Sequence, residues 1–114
     1  MKTALLGPFD LSFDGVQHAV LRHGCGAYAL GHVDPAGTFR VQRVGRDDAN
    51  LRLCLQGLIG SSNRFKFAPA ASSREAFGIE CELFHRLRPP GNIIHPTRPS
   101  GSDWRCPVCQ LLPL

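Results

Sequence analysis

Near its C-terminus the chain reads Trp104-Arg105-Cys106-Pro107-Val108-Cys109. A C-P-x-C turn resembles a zinc knuckle: two thiolates converge on one ion, and neighbouring backbone N–H groups support the sulfurs. Two further soft donors, Cys81 and His85, stand four residues apart within "AFGIECELFHRLRPPGN", Ala76 to Asn92. On a helix that spacing puts both on one flank, where they can chelate one metal from a single turn. Cys81, His85, Cys106 and Cys109 then make a tetrahedral Cys3His zinc site, with His95 as the rival fourth ligand. A thioredoxin-like redox role for the C-x-x-C is disfavoured, because that chemistry wants the first cysteine at a helix N-terminus. Cys25 and Cys54 read as packing residues.

The same stretch carries Glu80. At about 100° per residue, Glu80 falls near the centre of an apolar stripe formed by Ala76, Phe77, Ile79, Leu83, Phe84 and Leu87. Glu82 and Arg86 lie on the opposite side as a solvated pair four residues apart. A carboxylate facing a core is costly unless it is paired or metal-bound. Glu80 therefore has two readings: a buried carboxylate satisfied by an arginine or backbone amides, or a functional acid.

These residues need elements to position them. "GAYALGH" (Gly26–His32) reads as a strand, "VDPAGT" as a turn, and "FRVQRVG" (Phe39–Gly45) as the returning strand of a hairpin. Asp47 or Asp48 caps a helix bearing Leu51, Leu55, Leu58 and Ile59, ended by Gly60. "RFKFAPA" follows as a third short strand, with Phe65 and Phe67 facing one way. Ser72 or Ser73 caps the helix of Glu80, and Pro89-Pro90 stop it. "FDGVQHAVLRHG" near the N-terminus holds a short helix ending at Gly24. The expectation is one α+β domain. It has a small central mixed or antiparallel three-stranded sheet flanked by helices, and a loop-rich, zinc-stapled tail. Residues 1–24 form an N-terminal segment, 25–92 the core, and 93–114 the tail packed on the second main helix.

The 114 residues are 43% hydrophobic and 19% charged, and carry a net charge of +4. That balance is ordinary for a globular protein and mildly favourable for nucleic acid. Of the thirteen Lys and Arg only Lys2 and Lys66 are lysine. Arginine forks pair bidentately with phosphate and carboxylate; a GC-rich coding bias would give the same excess. The first residues, "MKTALLGPFDL", are too short an apolar run for a signal peptide, and no run approaches membrane-span length. A cytoplasmic protein with reduced thiols is expected, with DNA as partner and neither a membrane nor a small-molecule cofactor.

Together the motifs resemble the GIY-YIG endonuclease superfamily, from about Gly26 to Asn92. Gly26-Ala27-Tyr28 stands at the first signature and Arg43-Val44-Gly45 at the second. Glu80 matches the family's metal-holding carboxylate, and Asn92 its trailing asparagine. The resemblance implies DNA phosphodiester hydrolysis with one Mg2+ or Mn2+ on Glu80, stabilising charge on the scissile phosphate. Tyr28 matches the first signature tyrosine. Arg43 replaces the second, and an arginine is no base, its pKa lying above about 12. The family's helix arginine falls near Cys54, with Arg52 or Arg46 as the nearest substitutes. The implied catalytic set is Tyr28, Arg43, Arg52 and Glu80. Arg40, Arg43, Arg46, Arg64 and Lys66 are the cations expected to line one phosphate-contacting face. A nucleic-acid-binding domain with an impaired site, or a structural zinc module, are the alternatives.

Overall fold

The period-two alternation of each strand decides which layer its side chains serve. In a computed structural model, which describes residues 3–110, four strands are present: β1 (Leu6–Asp10), β2 (Gly26–Val33), β3 (Phe39–Asp47) and β4 (Arg64–Pro69). They form one antiparallel sheet in the order β1-β4-β2-β3. Three helices accompany it: α1 (Phe13–Ala19), α2 (Leu51–Gly57) and α3 (Ser73–Leu87). The class is α+β as expected, but the sheet has four strands, not three. The additional β1, "LGPFD", offers no period-two pattern and contains a proline, so nothing in its sequence signals a strand. Phe9 anchors it, its ring 5.6 Å from that of Phe65 and 6.0 Å from that of Phe67.

The hairpin expected around "VDPAGT" is present. Asp34 Oδ1 accepts the backbone N–H of Ala36 and of Thr38, both at 2.9 Å, and Gly37 takes the left-handed φ of +86°. Gly26-Ala27-Tyr28 and Arg43-Val44-Gly45 pair across this hairpin, with Tyr28 opposite Gly45. Any side chain at Gly45 would overlap the Tyr28 phenol, so glycine there makes room for the ring.

The cap of α2 is Asn50, whose Oδ1 accepts from Leu53 N–H at 3.1 Å, instead of either aspartate. Asp47 is nevertheless close, bracing the preceding turn by accepting from Asn50 N–H at 2.6 Å. The helix ends at Gly57, short of Gly60. α1 likewise ends at Ala19, short of Gly24. α3 begins at the expected serine: Ser72 Oγ accepts from Glu75 N–H at 3.1 Å. It stops before Pro89-Pro90, with Arg88 left-handed at φ 45°.

Two cores result. On one face of the sheet, Tyr28, Leu30, Phe65 and Phe67 pack with Val16 of α1 and with Leu51 and Leu55 of α2. On the other face, Ala27, Ala29, Val44 and Ala68 pack with Ile79 and Leu83 of α3. Residues 88–110 contain no helix or strand. Their head is tied to the edge strand β3: Gly91 N–H donates to Gln42 O at 2.7 Å. Asn92 Oδ1 accepts from Val44 N–H at 2.7 Å, and Asn92 Nδ2 donates to Val44 O at 2.9 Å. No helix among the described residues is long and apolar enough to cross a membrane.

Candidate metal centre

The last turn of α3 presents His85, the following loop returns His95, and the C-P-V-C turn supplies Cys106 and Cys109. One donor atom from each lies within 4.8 Å of all the others. The Nε2 atoms of His85 and His95 are 3.1 Å apart, and Cys109 Sγ is 3.6 Å from His95 Nε2. Around a tetrahedral zinc ion, two nitrogens are about 3.3 Å apart and a nitrogen and a sulfur about 3.6 Å apart. Two imidazole nitrogens aimed at one point make a poor mutual hydrogen bond, but a natural pair of ligand lone pairs. The outer nitrogen of His95 supports this: Nδ1–H donates to Pro96 O at 2.8 Å, leaving the Nε2 lone pair toward the cluster.

Cys106 is fully buried, and the other three donors are half-buried. Burial pushes the Cys106 thiol up, but N–H groups of Cys109 and Val108 donate to its sulfur and help bring it down to about 6. The turn thus favours a thiolate, the form that binds metal. Gln110 N–H closes it onto Cys106 O at 2.8 Å.

Cys81 is not in this set; His95 takes its place. The helical spacing that puts Cys81 and His85 on one flank is real, but Cys81 is turned into a small core with Phe77 and Cys106. Burial, then the Cys106 sulfur beside it, push its thiol up, so it stays protonated. It stands behind Cys106 as a neighbour that hydrogen-bonds with the sulfur, outside the ligand set. Trp104 completes this contact, its ring 5.7 Å from that of Phe77. Within residues 93–110 the tail meets α3 through the Phe77, Cys81 and Cys106 contact, and the donors that converge are His85, His95, Cys106 and Cys109; the rest of the expected tail, residues 111–114, lies outside the described residues.

No family model, curated protein or solved structure matches the chain.

Glu80 occupies a second polar site. It is only 9% exposed, and its Oε1 accepts from Arg46 Nη1 at 2.6 Å. Arg46 also reaches Asp48 Oδ1 at 2.9 Å and lies over the Phe77 ring at 5.1 Å. Burial raises the Glu80 pKa; the Arg46 guanidinium works against that rise. Arg46, Asp47, Asp48, Ala49, Glu80 and Thr97 line an open concavity of about 450 Å3. The pairing had a sequence signal: Arg46 follows Val44 by two on β3, so it must share the α3 face.

The other implied catalytic residues do not join Glu80. Tyr28 lies on the α1/α2 face of the sheet, buried with Leu51 and Leu55. Burial, then Cys54, raises its phenol to about 12. Arg43 pairs with Leu30 and shares the Tyr28 face, exposed. Arg52 lies on α2, on that side as well. Cys54 packs half-buried against the same core, as read from the sequence. Among the described residues no other group of three or more His, Cys, Asp or Glu donors lies close enough to hold an ion. A cation on Glu80 would thus find fewer than three such donors together, and Arg46 already engages the Glu80 carboxylate.

The five cations expected on one face divide between two. Register puts Arg46, Arg64 and Lys66 with the Ala27/Ala29 side, and Arg40 and Arg43 with the Tyr28/Leu30 side. Four of them are engaged within the chain. Arg40 binds Asp34 at 2.8 Å, Arg64 binds Asp10 at 3.1 Å, Arg46 is paired as described, and Lys66 sits 5.2 Å over the Phe39 ring. Arg43 has no carboxylate partner among the described residues.

Proposed function

We propose that this chain is a nucleic-acid-binding domain whose irregular tail is held on α3 by a structural zinc ion. The observation that carries the reading is the His85/His95/Cys106/Cys109 cluster, whose N···N and N···S spacings of 3.1 and 3.6 Å suit a closed tetrahedral Cys2His2 site. Four protein donors leave no open position for substrate, so the ion acts in folding, not in the chemistry. Binding to nucleic acid is supported by the +4 charge, carried almost wholly by arginine. It is supported too by the motif resemblance to a DNA-acting superfamily. Metal analysis of protein purified without added zinc should return about one equivalent per chain, lost in Cys106→Ser/Cys109→Ser. A stable, metal-free native protein would overturn the zinc assignment. Association with duplex DNA should weaken steeply as salt rises; no association at low salt would overturn the nucleic-acid reading.

A second reading, hydrolysis of DNA with Mg2+ or Mn2+, rests on one observation: a nearly buried carboxylate, Glu80, opening onto a polar concavity. There Glu80 would hold the cation, which supplies charge stabilisation at a phosphate. Arg46 and Asp48 would set the carboxylate's orientation. Metal-dependent nicking of supercoiled DNA that disappears in Glu80→Gln would establish it. Nicking that survives Glu80→Gln would exclude this site.

A further inference from the structure

Ile93 and Ile94 are 94% and 75% exposed, side by side. Adjacent, almost fully solvated isoleucines are unusual where a chain is firmly held. This pair is held at both ends. On one side Asn92 makes two hydrogen bonds to the Val44 backbone at 2.7 and 2.9 Å. On the other, His95 belongs to the metal-donor cluster. The two apolar side chains thus project from a short rigid span.

The stretch of chain that carries the pair is basic. From Leu83 to Ser102 there is no acidic residue, whereas Arg86, Arg88 and Arg98 all fall in that stretch. Arg86 is engaged by Glu82 and Arg98 by the Ser102 carbonyl. Arg88, exposed just after α3, has no carboxylate partner among the described residues; nor has exposed Arg43, whose side chain lies beside Gly91. The span also lacks aromatic rings, so it is no stacking platform for single strands.

We infer that Ile93 and Ile94 form an apolar wedge for double-stranded DNA, inserting at a base step while Arg43 and Arg88 hold the flanking phosphates. Rigid aliphatic side chains close along the chain to two arginines without carboxylate partners match the chemistry of proteins that unstack and kink a duplex. Flexible pyrimidine–purine steps are the preferred site, because they unstack at least cost. This inference rests on the nucleic-acid reading above and names the substrate form it requires.

The test uses a duplex of about 20 base pairs with 2-aminopurine beside a central TA step, a fluorophore that brightens on unstacking. The zinc-loaded parent should bind, as read by anisotropy, and brighten the probe. Ile93→Ser/Ile94→Ser should keep one equivalent of metal and the parent's salt dependence. It should bind roughly tenfold more weakly and lose the brightening. Leu53→Ser, at another exposed apolar residue, should match the parent. Arg43→Ala and Arg88→Ala should each lower the salt slope by about one. A double-serine variant that binds and brightens like the parent overturns the wedge and leaves the nucleic-acid reading standing. A parent that binds no duplex overturns both. The wedge is also overturned if the isoleucines mediate self-association, seen as a parent dimer that the variant dissociates. Parent binding to anionic phosphatidylserine vesicles in preference to duplex overturns it too.

Discussion

Tyr28 and Glu80 are the two chemically suggestive residues of the core, and burial acts on both in the same direction. For Tyr28, burial first and Cys54 second raise the phenol from its ordinary 10.0 to about 12. At neutral pH it is a hydrogen-bonding alcohol and no base. Because the folded value lies above the unfolded one, its contribution to stability is complete below pH 10 and is lost as pH rises through about 12. Tyr28 is the single tyrosine, so absorbance titration reads it alone. The midpoint should fall near 12 in the native protein and near 10 in denaturant. A native midpoint at the ordinary value would contradict the burial. Tyr28→Phe should flatten the loss of stability across that window. Glu80 differs in having a counter-ion. Arg46→Ala would strand a carboxylate that is nearly buried, and losing one partner of a buried pair costs about 3 kcal/mol. Protonation, favoured by the already raised Glu80 pKa, should recover part of that loss below neutral pH. Urea unfolding of Arg46→Ala at pH 7 and pH 5 checks both halves; an unchanged midpoint at pH 7 would show that water alone satisfies the carboxylate.

At the scale of elements, α3 does most of the organising. Ile79 and Leu83 seal the sheet, Phe77 and Cys81 receive the tail, Glu80 opens on the concavity and His85 joins the donor cluster. Much of that was readable from the helix itself. Its serine cap, its proline stop and the inward Glu80 follow from helical geometry; the Glu82–Arg86 pair forms as expected, but Glu82 is largely covered instead of solvated, because the Thr3 N–H and hydroxyl donate to its carboxylate. His95 was already a rival donor in the sequence, but that it joins His85 and leaves Cys81 out was not readable, because a one-dimensional pattern ranks donors by spacing on the helix. Where the loop after Pro90 returns depends on Asn92 gripping Val44, a contact 48 residues distant in sequence. β1 was hidden for a similar reason: Phe9 earns its place by packing on Phe65 and Phe67, with no pattern of its own. The donor assignment yields a sharp pair of outcomes. His95→Ala should abolish stoichiometric zinc. Cys81→Ala should keep one equivalent while weakening its affinity by about 10- to 100-fold, the usual effect of removing a ligand's supporting neighbour. Competition with a chromophoric chelator measures both, and the reverse order would restore Cys81 to the ligand set.

Over the whole molecule, the fold divides into a part that the proposed ion would hold and parts built without it. The two cores on either side of the sheet are built from Leu11 to Leu83 without any residue of the tail. Only the third cluster, where Cys106 meets Phe77 and Cys81 beneath Trp104, spans α3 and the tail. Residues 88–110 have no regular structure of their own. Apart from the Gly91–Asn92 bonds to β3, their order depends on that small cluster and on the proposed ion. Structural zinc contributes its binding free energy directly to the order of the segment it closes. At free zinc a thousandfold above its Kd, that stabilisation is about 4 kcal/mol. The loss on chelation should therefore be local. Trp104 is the single tryptophan and sits against Phe77, so its emission reports the tail alone. Far-UV circular dichroism reports the sheet and helices. Added chelator should shift Trp104 emission to the red as the ring becomes solvated, while the dichroism changes little and the sheet keeps its cooperative melt. Restoring zinc should reverse the shift with a stoichiometry of about one. Simultaneous collapse of both signals would mean that the tail is an integral part of the core instead of a stapled addition to it. An emission spectrum indifferent to chelation would mean that Phe77, Cys81 and the Asn92 anchor hold the tail without any ion.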